Sequence, residues 1–219
     1  MKHKKLITQT ETFVKNSLSN TESGHNWFHI DRVRANALQI AQHENADTFI
    51  VELASLLHDI GDSKFHDGDE SIGPARTKEF LMTLNLPKEI SEHIVNIVKH
   101  ISFKNTLDTT SSTFSSLELD IVQDADRLDA IGAIGIARAF SFGGFKNREI
   151  YDPSIKPNLE MTKEEYKNST APTINHFYEK LLHVKEGMNT SFGKRIAQER
   201  DLFMREFLEQ FYKEWKGIK

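Results

Sequence analysis

Three stretches of this chain carry side chains suited to metal chemistry. They are His29-Ile-Asp-Arg32-Val33, Ala54-Ser-Leu-Leu-His58-Asp59-Ile-Gly-Asp62 and Val122-Gln-Asp124-Ala-Asp126-Arg127-Leu128. In each, an imidazole or a carboxylate interrupts an apolar helical pattern. A His-Asp pair is a weak signal by itself, since His66-Asp67 supplies a second one in a polar Gly/Asp loop. The combination is stronger. A His, a His-Asp pair and an Asp on three different helices are what a metal site inside a helical bundle requires. Adjacent helical residues project about 100° apart, so His58 and Asp59 reach one ion only where their helix ends, and Ile60-Gly61-Asp62 supplies that end. Two imidazoles with two carboxylates form a mixed N/O set. Such a set suits Mn²⁺, Fe²⁺, Co²⁺, Ni²⁺ or Zn²⁺ better than Ca²⁺, and better than Mg²⁺, which prefers oxygen alone. A six-coordinate ion would keep two positions for solvent and a phosphoryl oxygen, and the chemistry that follows is hydrolysis of a phosphate ester or anhydride. Asp124 and Asp126 lie about 200° apart around a helix, so only one can face the ion. The helix is apolar on several sides and its wheel does not choose between them.

Positioning these groups falls to helices. The chain has 219 residues, 38% hydrophobic and 27% charged, an ordinary balance for one globular domain. A formal charge of −4 argues against a generic nucleic-acid binder. The lack of cysteine excludes disulfides, thiolate metal sites and Cys nucleophiles. Met1-Lys-His-Lys-Lys has the charge of a signal sequence without an apolar segment behind it, and no window approaches a membrane span. A cytoplasmic protein with no membrane and no nucleic-acid partner is expected. Apolar periodicity predicts a first helix through Leu6, Ile7, Phe13, Val14 and Leu18, closed by Asn20 and Gly24, and a second over about 27–43. The third, about 47–58, is apolar almost all round and therefore central. A polar loop over 59–73 leads to helices at about 73–85 and 88–101, then a Thr/Ser-rich loop over about 105–116. One long helix is predicted over about 117–140, with Gly132 and Gly135 admitting a close neighbour. Residues 141–172, rich in Gly and Pro, read as an irregular excursion. Helices at about 173–187 and 191–216 finish the chain, the last with a stripe of Phe192, Ile196, Phe203, Phe207 and Phe211 that serves as core or as a homodimer contact. The class is all-α.

His29-x-x-Arg32-Val33, then His58-Asp59, then Ala125-Asp126-Arg127-Leu128 resembles the HD-domain superfamily of metal-dependent phosphohydrolases, in its H…HD…D pattern over about residues 24–140. Gly24-His25-Asn26-Trp27-Phe28-His29, the run from Asp126 to Arg138, and Thr173-Ile-Asn-His-Phe-Tyr-Glu-Lys-Leu-Leu182 resemble one bacterial branch of single-domain HD hydrolases. The likeness thereby covers nearly the whole chain. It implies an HD-type helical bundle spanning 1–219, with an irregular insertion and a C-terminal helical extension. It also implies one divalent ion held by His29, His58, Asp59 and Asp126, because the family register of Ala-Asp, a basic residue and Leu selects Asp126. Mn²⁺ is the ion expected, with Fe²⁺, Ni²⁺, Co²⁺, Zn²⁺ or Mg²⁺ as alternatives. For that branch the resemblance implies hydrolysis of nucleotides, with triphosphates cut to monophosphate and pyrophosphate.

Other residues have two readings each. Asp62, where related nucleotidases carry an acid proposed to handle protons, would orient water or protonate a leaving group, or else cap a turn. Lys64 and Arg32 would neutralise phosphate charge, or be an exposed lysine and a structural arginine. Arg127 shares that ambiguity. His100, closing an apolar helix, would contact substrate or a second metal, as in some relatives, or simply end the helix. Asp129, one turn beyond Asp126, would accept from a ligand imidazole. His25 would support the site or cap a helix. Lys146, in Gly143-Gly144-Phe145-Lys146-Asn147-Arg148, would touch phosphate from a lid or belong to an ordinary loop. Two alternatives to nucleotide pyrophosphohydrolysis stay open: a phosphodiesterase or signalling-nucleotide hydrolase on the same site, and a metal-bearing module that binds nucleotide without turning it over.

Overall fold

Apolar residues at helical spacing set the order of elements in this computed structural model, which describes residues 2–18, 26–61, 69–101, 114–162, 165 and 168–218. Nine α-helices and no strand occur among the described residues, the all-α class expected. The chain divides into two compact units, Met1–Asp126 and Arg127–Lys219.

The first unit holds α1 (Lys2–Ser17), α2 (Trp27–Glu44), α3 (Thr48–Leu57), α4 (Ile72–Thr83), α5 (Lys88–His100) and most of α6 (Leu117–Asp129). As its composition predicts, α3 is central: Phe49, Val51, Leu53, Ala54, Leu56 and Leu57 are all buried, and α1, α2 and α5 pack on it. Each such leucine contributes roughly 1.5–3 kcal/mol of burial free energy. The Asp47 carboxylate caps α3, accepting from the amides of Phe49 and Ile50 at 2.9 and 3.2 Å. Asn45 ends α2 in the left-handed region (φ 56) and returns its N–H to Ala41. Arg34 ties three helices, with Nε and one terminal nitrogen on Glu52 of α3 and the other on Glu11 of α1 at 2.7 Å.

The second unit departs from the sequence reading at three places. The helix expected over 117–140 is two helices: α6 stops at Asp129, and α7 (Gly132–Phe145) leaves at 59°. Gly132 sits at φ +73, where a Cβ is strained and would also meet the Arg200 stem at 2.9 Å. A Cβ on Gly135 would lie 2.3 Å from the Ala130 carbonyl oxygen. Gly132 does admit a neighbour, the Arg200 side chain, but the main effect of the pair is the bend. Next, α7 runs on to Phe145, so the irregular stretch begins at Lys146 rather than 141. Finally, the helix expected over 173–187 is α8 (Thr173–Glu179) followed by a 3-10 helix, Leu181–Gly187, the break falling at Lys180 with φ −145. The last helix, α9 (Ser191–Trp215), buries Phe192, Ala197, Met204 and Leu208, whereas Phe203 of the predicted stripe is 48% exposed. A 3.6-residue turn carries near-heptad positions gradually off the buried face. Among the described residues no single helix is long and apolar enough to cross a membrane; α6 and α7 qualify only together, across their bend.

Candidate metal centre

His29 is set by a helix start. The Asn26 side chain accepts from the amides of Phe28 and His29 at 3.1 and 3.2 Å, fixing the first turn of α2 and sending the His29 imidazole inward, where the residue is 2% exposed. His58 is set by a helix stop. It follows the last residue of α3, and its Nδ1 donates to the Ser55 carbonyl at 2.7 Å. That bond selects the tautomer whose Nε2 carries the lone pair. This Nε2 is buried and has no hydrogen-bond partner. A buried polar atom left alone costs on the order of 1–3 kcal/mol, so a cation at the site would satisfy it.

Asp126 arrives on α6. Its Oδ1 stands 3.5 Å from His29 Nε2 and 4.0 Å from His58 Nε2, and one donor atom from each of the three residues falls within a 4.8 Å cluster. Donors each about 2.1 Å from a common ion stand about 3.0 Å apart at right angles and about 4.2 Å apart when opposed. Both spacings from the Asp126 carboxylate lie in that interval, so this donor set fits a divalent ion. Asp59 Oδ2 lies 4.0 Å from His29 Nε2, outside the three-residue cluster but beside it. The side chain of Asp126 is 46% exposed while both imidazoles are buried, so the cluster opens to solvent on the carboxylate side. Asp124, the competing carboxylate, is wholly buried and is not part of the cluster.

Several supporting contacts carried no motif. Asn36 reaches from α2 to the Ala125 carbonyl at 3.5 Å, next to Asp126. Gln123 donates to the carbonyls of His100 and Ile101 at 3.1 and 3.4 Å, joining α6 to the end of α5. Arg76 of α4 donates to Ile60 O at 3.0 Å, and a Cβ on Gly61 would fall 2.6 Å from the Gly73 backbone. The turn after His58-Asp59 is thus pressed against the start of α4. Only the Gly61 signal was legible beforehand; long-range amide contacts have no local pattern.

Asp62, Lys64, His25 and His66 lie outside the described residues. Arg32 is half-buried, one turn beyond His29. The His100 Nδ1 bonds the Asn96 carbonyl at 2.8 Å, and its ring lies 5.4 Å from that of Phe114. In the second unit, Asp129 is buried and takes Arg138 at 2.5 Å, a strong partner the sequence reading had not assigned. The Arg127 Nε lies 3.9 Å from where a Cβ of Gly187 would be. Lys146 caps α7, its ammonium over the rings of Phe145 and Phe142 at 5.3 and 5.7 Å.

Residues 27–131 match the family model of the HD domain. The Bacillus subtilis protein YpgQ is 36% identical over 218 residues, covering all of this chain and 98% of its own. An HD-superfamily hydrolase of Bacillus thuringiensis, 41% identical, superposes with a TM-score of 0.79 over 98% of both chains. The crystal structure of YpgQ in complex with ADP superposes with a TM-score of 0.75 at 35% identity, over 98% of this chain and 97% of that one. The chain belongs to the HD-domain superfamily of metal-dependent phosphohydrolases.

Proposed function

We propose that this protein is a nucleoside triphosphate pyrophosphohydrolase, cutting its substrate to nucleoside monophosphate and pyrophosphate with Mn²⁺ as its preferred ion. The observation that carries the reading is the solitary Nε2 of His58, aimed at the Asp126 carboxylate and the His29 imidazole within a 4.8 Å cluster. His29, His58 and Asp126 would hold the ion, with Asp59 as fourth ligand. When bound, such an ion supplies Lewis acidity and activates water for attack on phosphorus. The protein does the rest. Ser55 keeps the His58 lone pair turned inward through its carbonyl. Asp62 accepts the proton of the attacking water. Lys64 and Arg32 offset the polyphosphate charge, with His100 as a further substrate contact. ADP bound to YpgQ supports a nucleotide as the ligand class. A cytoplasmic setting and a homodimer complete the proposal.

Purified protein incubated with Mn²⁺ and a panel of nucleotides, with products separated by chromatography, tests it. Monophosphate plus pyrophosphate, abolished by EDTA, is the expected outcome. Diphosphate plus phosphate, or cleavage of diesters alone, would reject the proposed bond.

A further inference from the structure

The second unit holds a half-open depression of about 330 Å³ that shares no lining residue with the metal cluster. The segment Tyr151–Asn158 supplies much of its lining and is fastened at three points. Tyr151 sets its ring edge-on against Tyr212 and Trp215, at 5.4 and 5.0 Å between centroids. The Ile155 carbonyl accepts from the side-chain amide of Asn175 at 3.1 Å, and the amide of Asn158 donates to Glu179 at 3.1 Å. These contacts hold the segment against α8 and α9. Tyr151, Tyr178 and Tyr212 offer flat aromatic surface, with Tyr178 and Tyr212 joined by a hydroxyl hydrogen bond. Asn175, only 1% exposed, contributes an amide to the wall. Lys156 is the one ionised side chain among the lining residues.

We infer that this cavity is a second small-molecule site, which takes a planar aromatic ring carrying a single acidic group. Aromatic walls favour a flat π-system in offset or edge contact over an aliphatic chain. One lysine at the rim matches one anionic group. Ligand cavities span about 300–1,000 Å³, and a volume at the low end admits a ring with a short acidic arm but not a polyphosphate. The inference rests on the cavity alone and stands whether or not the metal centre hydrolyses triphosphates.

Trp215 touches the cavity wall through Tyr151, so its fluorescence reports occupancy. The chain has two tryptophans. In the full-length Trp27→Phe protein, in EDTA, Trp215 emission is followed during titration with AMP, adenosine and pyrophosphate. The expected result is a saturable response to AMP, a weaker one to adenosine and none to pyrophosphate. Tyr178→Ala should weaken AMP and adenosine at least about fivefold, the lower end of what one stacked base contributes. Lys156→Glu, at an exposed position, should weaken AMP alone and serves if the tyrosine variant fails to fold. No Trp215 response, equal affinity for AMP and adenosine, or AMP binding unchanged by Lys156→Glu would overturn the inference. So would AMP binding that disappears in His58→Ala, which would place the ligand at the metal cluster.

Discussion

At the scale of single residues, His58 is the side chain with most at stake. Its Nδ1 is committed to the Ser55 carbonyl and its buried Nε2 has no hydrogen-bond partner. His58→Ala should abolish stoichiometric Mn²⁺ binding by calorimetry. Hydrolysis should fall by more than the roughly 10–100-fold that follows loss of a mere supporting group. The two aspartates of α6 should separate cleanly. Asp126→Asn should lose the ion with little change in stability, whereas Asp124→Asn should lower stability and still bind Mn²⁺, because Asp124 is wholly buried and outside the cluster. Retention of Mn²⁺ by Asp126→Asn would contradict the assignment. A different histidine governs acid sensitivity. Burial, with Lys180 and Arg148 adding, lowers His176 to about 4. Its folded value lies below that of the unfolded chain, so the unfolded state binds the extra proton first as pH falls. Stability is therefore lost between about pH 6.5 and 4, at up to about 1.4 kcal/mol per pH unit, and is insensitive to this group above that window. Urea titrations at pH 7, 6 and 5 should show a flatter dependence for His176→Gln than for the natural chain.

The elements act by where they begin and end. His29 occupies the first turn of α2 and His58 the first position past α3, so the caps of these helices place the imidazoles. Asp47→Ala removes the acceptor for two amides of α3 and should cost about 1 kcal/mol, measured as a lower urea midpoint. The bend between α6 and α7 depends on two glycines for different reasons. Gly132→Ala should cost roughly 1–2 kcal/mol from its left-handed backbone, plus displacement of the Arg200 stem. Gly135→Ala should be worse. Its Cβ would overlap the Ala130 carbonyl oxygen at 2.3 Å, and only a backbone shift relieves that. If Gly135→Ala unfolds at the same midpoint as the natural chain, the bend has another cause.

For the molecule as a whole, the expected consequence of the cluster is linkage between metal and stability. An ion that binds only the folded chain adds about 2.7 kcal/mol when present at a hundredfold excess over its dissociation constant. For a chain of this length that corresponds to roughly 5–10 °C in Tm. Calorimetry should therefore show Mn²⁺ raising the transition and EDTA reversing it, with His58→Ala unresponsive. A Tm indifferent to Mn²⁺ in the natural chain would exclude the cluster as a tight site, whatever the outcome of activity assays. The chain's two compact units make it informative whether one transition or two is seen, and the ligands all lie in Met1–Asp126, so the shift should appear in that unit's transition.

Much of this was legible in the residues themselves. Hydrophobic periodicity alone predicts α1 through α5 and α9 nearly to their ends, because burial of one face is encoded in local spacing. His29, His58 and the pair Asp124 and Asp126 stood out because ionisable groups in apolar helical runs need a partner. What local pattern could not decide was which of Asp124 and Asp126 turns toward the imidazoles, since a helix apolar on several sides has no preferred face until its neighbours are in place. Nor could it separate α6 from α7, where Gly132 turns to φ +73 with the Arg200 stem beside it, nearly seventy positions along the chain. The order of helices follows from the side chains of each segment. The orientation of the ligands follows from carbonyls, caps and close backbone contacts that exist only once the segments have packed.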